Sequence, residues 1–442
     1  MRATLALAWP LVLSNVAGTA LTTIDLVLLG RLGADVLAAA ALGTNLFHTA
    51  FVSCIGLVSA VSPLVAAEYG RRRHAVREIR RSVRQGLWAA LAVSAPVIAA
   101  LSQGEAILLA FGQQPALAAE AGAYLRALQW AILPNLLFVV LRTFMASVGR
   151  PGWGLAIALI GLPVNLLVAW MLVFGRLGAP ALGLQGAGIA TTITAALGLA
   201  GLAAVLVTER RFRRYHVFGR IWRPDWPRFR AVFRIGLPIA ATLALETSLF
   251  SASGLTMGAL GAPELAAHTI ALQISALCFM VPLGLGQAAA IRVGHAFGAG
   301  DRAGIGRAGW SALAIALGFC GATATALVAA PTLFVSGFID LDANREVVRL
   351  AVLFLVFAAL FQLADGSQAV GAGMLRGLQD TRAPMLIAAL GYWGIGAPLG
   401  YALALPLGFG GAGVWAGLAT GLGVVAALLV RRWSRRERLG LA

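Results

Sequence analysis

Long apolar stretches alternate with short polar connections along the whole chain. Each stretch is long enough, as a helix, to cross a hydrocarbon core of about 30 Å. The pattern predicts twelve membrane-crossing helices at about 5–30, 43–67, 86–110, 122–147, 153–174, 186–208, 235–258, 265–291, 308–334, 347–373, 384–406 and 411–430. The expected fold class is therefore an all-α integral membrane protein. The first stretch follows Arg2 directly and has no small-residue cleavage site, so it is expected to be a first membrane helix and not a removed signal peptide.

The connections alternate in charge. Arginines cluster between the second and third stretches (Arg71, Arg72, Arg73, Arg77, Arg80, Arg81, Arg84), between the sixth and seventh (Arg210 to Arg234) and after the twelfth (Arg431 to Arg438). Smaller sets follow the eighth (Arg292, Arg302, Arg307) and the tenth (Arg376, Arg382). The intervening connections carry Glu105, Glu120, Glu264, Asp340, Asp342 and Glu346. By the positive-inside bias the arginine-rich side is cytoplasmic. A multi-pass membrane protein with both termini in the cytoplasm is expected.

The two halves resemble each other. Pro238 in "RIGLPIAA" matches Pro10 in "LAWPLVLS", and "LGAPELAAHTIALQ" from Leu260 matches "LGADVLAAAALGTN" from Leu32 at the same offset. "GFGGAG" ending at Gly413 likewise matches "GLQGAG" ending at Gly188. The expectation is two six-helix lobes of the same topology, 1–210 and 235–442, joined by a cytoplasmic linker at 211–234. A substrate path is expected where two such repeats meet.

Composition narrows the function. The chain of 442 residues is 60% hydrophobic and 12% charged, against roughly a quarter charged in soluble proteins. The formal charge of +17 would suggest nucleic acid in a soluble protein. Here the arginines sit in short connections, so no nucleic-acid partner is expected. No lysine occurs anywhere, which excludes a Walker A phosphate loop and a Schiff-base cofactor. Cys54, Cys278 and Cys320 are widely spaced in apolar stretches and read as packing residues. His48 and His268 are isolated, with no second ligand nearby.

Candidate chemistry lies in acids placed inside the apolar stretches, where a charge costs at least about 2.5–3.5 kcal/mol. Asp25 falls in the outer half of the first stretch, Glu246 near the middle of the seventh and Asp365 in the inner half of the tenth. No basic residue is within reach of Glu246 along its own helix. Gln362, Ser367 and Gln368 around Asp365 suggest a wet face. A desolvated carboxylate can load and release a proton, or accept a sodium ion, and a cationic substrate would compete for the same charge. Asn165, Thr191 and Gln273 are supporting polar candidates that could bond between helices. Phe361, one turn before Asp365, could face a cation or pack in the core.

These segments resemble the multidrug and toxic compound extrusion (MATE) family, most of all its bacterial NorM-like branch. "WPLVLSN" with "IDLVLLGRLGADVLAAAALG" is similar to the family's first-helix pattern, whose aspartate is here Asp25. "GLPIAATLALETSLF" is similar to the seventh-helix pattern with its cation-site glutamate, here Glu246. "FQLADGSQAVGAGMLRGLQDTRAPM" resembles the tenth-helix pattern, whose aspartate is here Asp365. "GLPVNLLVAWMLVFGRLGAPALGLQGAGIATT" resembles the fifth-to-sixth-helix segment. The resemblance implies twelve helices in two lobes and export of amphipathic cationic drugs driven by entry of sodium or protons. Two positions depart from the pattern: Ala169 stands where some members have a second aspartate, and Phe361 where some have a tyrosine.

The resulting expectation is a secondary multidrug antiporter, not an enzyme. It would need no cofactor, couple to Na+ or H+ at Glu246 and Asp365 with Asp25 in support, and hold no metal beyond that Na+. Its partners would be small-molecule drugs, organic cations and membrane lipid, and it is expected to be a monomer. The alternative is a lipid or lipid-linked oligosaccharide flippase of the same wider superfamily. Such a protein would line its path with arginines, whereas here the arginines map to connections.

Overall fold

A computed structural model describes residues 1–71 and 75–441; Arg72 and Arg73 of the first arginine cluster lie outside the described residues. In chain order the helices are α1 (Arg2–Gly30), α2 (Ala34–Val58), α3 (Val61–Arg71), α4 (Ala75–Ser102), α5 (Gly104–Ala110), α6 (Pro115–Leu128), α7 (Ile132–Ser147), α8 (Gly152–Phe174) and α9 (Gly183–Thr208). They continue with α10 (Arg210–Arg213), α11 (Trp226–Leu260), α12 (Ala262–Ala299), α13 (Arg302–Ala329), α14 (Pro331–Val335), α15 (Arg345–Gly377), α16 (Arg382–Ala389), α17 (Ala397–Ala404) and α18 (Gly410–Ser434). Among the described residues, 12 helical stretches are long and apolar enough to cross a membrane. They coincide with the twelve expected, because in lipid a helix is the way a single segment satisfies its own backbone.

Differences from the expected spans concern the ends. Several helices run past the apolar stretch into the arginine clusters: α4 begins at Ala75 and α11 at Trp226, so Arg77, Arg80, Arg81 and Arg84, and Arg228, Arg230 and Arg234, are helical and not in connections. Arginine is a good helix former, and hydrophobicity marks the membrane, not the helix end. The third stretch breaks after Ser102, and α5 is a separate short helix.

The chain divides into two compact units. One is Leu13–Ala240; the other joins Met1–Val12 to Ala241–Ala442. The divisions fall two residues beyond Pro10 and two residues beyond Pro238, the prolines matched between the halves. Both α1 and α11 therefore contribute to both units.

In the Leu13–Ala240 unit the core is built from fully buried side chains such as Val61, Ile79, Val83, Ile132, Leu136 and Phe144. Phe212, Tyr215 and Val217 are buried in the same cluster. Arg84 Nε donates to Val217 O at 2.9 Å, and Trp88 Nε1 to Ile221 O at 2.8 Å. The stretch expected as a separate linker thus packs into this unit through its spaced apolar residues. A chain of ion pairs closes it: Arg81 Nε meets Asp225 Oδ2 at 2.6 Å, Arg81 Nη1 meets Glu78 at 3.0 Å, and Arg228 bridges Glu78 and Glu68.

In the other unit, glycines set the helix spacing. A Cβ on Gly373 of α15 would lie 2.2 Å from Gly286 O of α12, so the two backbones touch where no side chain fits. Between α16 and α17 the backbone widens into a π-helical segment, Leu390–Gly396. Pro398 contributes to this, since it has no N–H for the normal helical bond. A Cβ on Gly396 or Gly417 would meet backbone atoms across the contact with α18.

Candidate functional site

In the Leu13–Ala240 unit, Asp25 of α1 is buried at 5% exposure. Both carboxylate oxygens are engaged. Asn165 Nδ2 of α8 donates to Oδ1 at 2.6 Å, and the Thr191 hydroxyl of α9 lies 2.8 Å from Oδ2. Thr194 Oγ1, one turn along α9, donates to Asn165 Oδ1 at 3.1 Å and holds the amide in that orientation. The Tyr124 phenol of α6 is within electrostatic reach of Asp25 and lies 3.4 Å from Thr44 Oγ1 of α2. Ala169 is fully buried against Leu28 and Ala190, so the position that carries a second aspartate in some MATE members is filled here by a methyl group.

In the other unit, Asp365 and Gln368 share a face of α15 with Gln362, and all three are buried. The wet face expected around Asp365 is instead closed by packing. Gly366 lets α15 approach Cys320 of α13 and Pro282 of α12, where a Cβ would be 2.5 Å from the Cys320 sulfur. Gln362 Oε1 accepts from Thr323 Oγ1 at 2.8 Å, and Gln368 Nε2 donates to Tyr392 Oη in the π-helical segment at 2.6 Å. Glu246 of α11 lies within electrostatic reach of Gln368 and of Asp365. Asp365 Oδ1, Gln368 Oε1 and Gln362 Nε2 are buried without a hydrogen-bond partner among the described residues. Asp365 is buried and Glu246 half-buried, and two interacting carboxylates beside unsatisfied polar atoms make a cluster that a proton or a small cation can complete.

Two expectations are corrected. The first is that arginines keep to the connections. Arg142 lies inside α7, with Nη1 donating to Ser14 Oγ at 2.8 Å. Arg292 of α12 donates to the hydroxyls of Thr4 and Ser311. Arg376 belongs to the last turn of α15 and acts electrostatically on Glu246. Glu246 therefore has a basic neighbour after all, from another helix, where no reading along its own helix could find it. The second is that Gln273 bonds between helices: it is exposed on α12, with no side-chain hydrogen bond among the described residues. Phe361 is buried at 2%, edge-on to Phe250 and Trp415, and packs in the core.

Sequence reasoning missed Thr194, Tyr124, Thr323, Tyr392 and Arg376. Single hydroxyls and an arginine at a helix end carry no signal until the fold pairs them. His268 packs edge-on to Trp415, with Nε2 3.4 Å from Ser253 Oγ. The three cysteines are free.

Comparison with known proteins settles the family. The MatE family model matches residues 10–171 and again 238–402, once in each half. The chain belongs to the MatE family. Among curated MatE relatives it is 54% identical over 441 residues to a probable multidrug resistance protein NorM of Mesorhizobium japonicum, covering 99% of this chain and 94% of the relative. It is 49% identical over 433 residues to the protein of the same name in Brucella suis, covering 98% and 92%. Among solved structures, a eukaryotic MATE transporter, AtDTX14, superposes with a TM-score of 0.88 at 21% identity, covering 100% of this chain and 98% of that one. The double match restates the internal repeat, and the fold is that of MATE transporters, with twelve membrane helices in two six-helix lobes.

Proposed function

We propose that this MatE protein is a secondary multidrug efflux antiporter of a bacterial inner membrane. It exports amphipathic cationic compounds in exchange for Na+ or H+ and carries out no covalent chemistry. The reading rests on one observation above all: Asp365 Oδ1 is buried without a partner beside the charge of Glu246. An entering cation satisfies that oxygen and neutralises part of the paired charge. With the pocket neutralised, a cationic drug loses its reason to stay, and its departure follows. Asp25 serves as the corresponding acid of the other unit, held ready by Asn165 and Thr191. Small-molecule drugs are the proposed cargo and the coupling ion is a second cargo; the protein acts as a monomer with both termini in the cytoplasm.

The flippase alternative requires arginines free to grip a phosphate headgroup inside the membrane. Arg142 donates to Ser14, and Arg376 at the end of α15 feels the charge of Glu246, which favours the antiporter.

The test is efflux of ethidium from cells at matched membrane expression. Glu246→Gln and Asp365→Asn are each expected to slow it at least roughly tenfold, the equivalent of about 1.4 kcal/mol. Wild-type efflux in both variants would remove this mechanism. Transport into proteoliposomes under a sodium gradient alone, against a pH gradient alone, identifies the ion.

A further inference from the structure

Within the Leu13–Ala240 unit, apart from the buried acids, a cavity of about 260 Å³ opens between α3, the α7–α8 turn and the α10 segment. That is smaller than the roughly 300–1,000 Å³ of a drug-sized site. Its lining includes Arg150, Arg211 and Arg214 with Tyr69 and Tyr215, and no carboxylate. Among the described residues none of the three arginines takes part in an ion pair. The contrast is with Arg81 and Arg228 of the same unit, which are neutralised by Glu68, Glu78 and Asp225.

The cavity wall is built, not incidental. Tyr215 is buried at 2%, edge-on to Phe144 of the core at 5.2 Å. Arg214 lies over the Tyr215 ring at 5.0 Å, and its Nη2 donates to the phenol at 3.1 Å. Arg214 is thus held in place by a core residue before any ligand arrives. The backbone of Arg150 sits on the tight α7–α8 turn, where Gly149 takes a φ of 80° and the Arg150 N–H donates to Met145 O at 2.9 Å.

The depth of the cavity follows from its neighbours. Trp153, three residues beyond Arg150, is exposed on the first turn of α8. Trp222 and Trp226 are exposed at 70% and 58% in the stretch that follows Tyr215. Exposed tryptophans at helix ends mark the level of lipid headgroups. On the orientation proposed above this is the cytoplasmic leaflet, whose anionic lipids collect at basic pockets.

We propose that this cavity binds the phosphodiester headgroup of an anionic phospholipid, gripped by Arg150, Arg211 and Arg214. The guanidinium fork matches two phosphate oxygens at once, which a point charge would not. Tyr69 and Tyr215 form the wall against which the headgroup rests.

The experiment is native mass spectrometry of the detergent-solubilised full chain titrated with phosphatidylglycerol, with phosphatidylcholine of the same acyl chains, and with inorganic phosphate as a competitor. Wild type is expected to retain phosphatidylglycerol at least about tenfold better than phosphatidylcholine. Arg150→Gln with Arg211→Gln should abolish most of that preference. Arg220→Gln with Arg223→Gln, which removes the same charge elsewhere on the segment, should leave it intact. Equal loss in both pairs would reduce the effect to diffuse surface charge and overturn the site. Full competition by inorganic phosphate at the lipid's own concentration would make it a soluble-anion site instead. The wild-type preference needs no variant, so its absence overturns the proposal even if the altered chains fail to fold. Failure here leaves the efflux test of Glu246 and Asp365 untouched.

Discussion

Asp25 and Asp365 are both acids in apolar helices, yet they are solvated differently by the protein. Each oxygen of Asp25 has a donor, while Asp365 keeps one oxygen without any. The Asp25 arrangement depends on Asn165, which is wholly buried and fixed by Thr194. Asn165→Ala would leave a buried carboxylate short of one donor, at a cost of roughly 1–3 kcal/mol. A lowered melting temperature in detergent is the expected result, and Asp25→Asn combined with it should recover part of the loss. A melting temperature equal to wild type in Asn165→Ala would show that water replaces the amide freely. The three acids themselves were legible in the chain because a charge inside an apolar stretch is costly enough to demand a use. Asn165 and Thr191 were legible only as polar candidates without a partner, and Thr194, Tyr392 and Arg376 not at all, since they approach from helices remote in sequence.

At the scale of elements, the arginine clusters changed meaning on folding. Arg81 looks like an orientation signal in the chain, and it became an ion-pair partner on the first turns of α4. The Asp225 carboxyl, just before α11, is the clearest titrating member of this set. Burial pushes its pKa up, but the hydrogen bond from Arg81 and the backbone N–H of Arg228 outweigh that and hold it below the ordinary carboxylate range. A carboxyl lowered in the folded state adds stability above its unfolded value of about 3.9 and loses it as pH falls through the folded value. Asp225→Asn should therefore melt below wild type at pH 7, and the gap should narrow as pH falls from about 5 to about 3. A gap of constant size across that range would mean the carboxylate's charge contributes nothing. The twelve helices were readable from hydrophobicity, but their ends were not, because a helix extends for as long as its backbone bonds persist, past the edge of the lipid.

For the whole molecule, the repeat and the charge asymmetry make a joint prediction about orientation. The arginine-rich face is assigned to the cytoplasm and the acidic connections to the outside. In a background with the native cysteines replaced by serine, a cysteine at Asp342 should react with an impermeant maleimide in intact cells. A cysteine at Trp222 should react after permeabilisation alone. The opposite pattern would invert the proposed direction of transport. Both positions suit the experiment, being exposed in the folded chain.

Hydrophobic length, alternating charge and the matched prolines were enough to determine the helix count, the repeat and the candidate acids, because each can be read along the chain from the cost of membrane solvation or from its own recurrence. Tertiary structure decided where the compact units divide, two residues past Pro10 and Pro238, and it decided which donors face Asp25 and why Glu246 has Arg376 for a neighbour. Those outcomes depend on helices far apart in the chain being brought side by side, through contacts such as Gly286 against Gly373, and no one-dimensional pattern carries that distance.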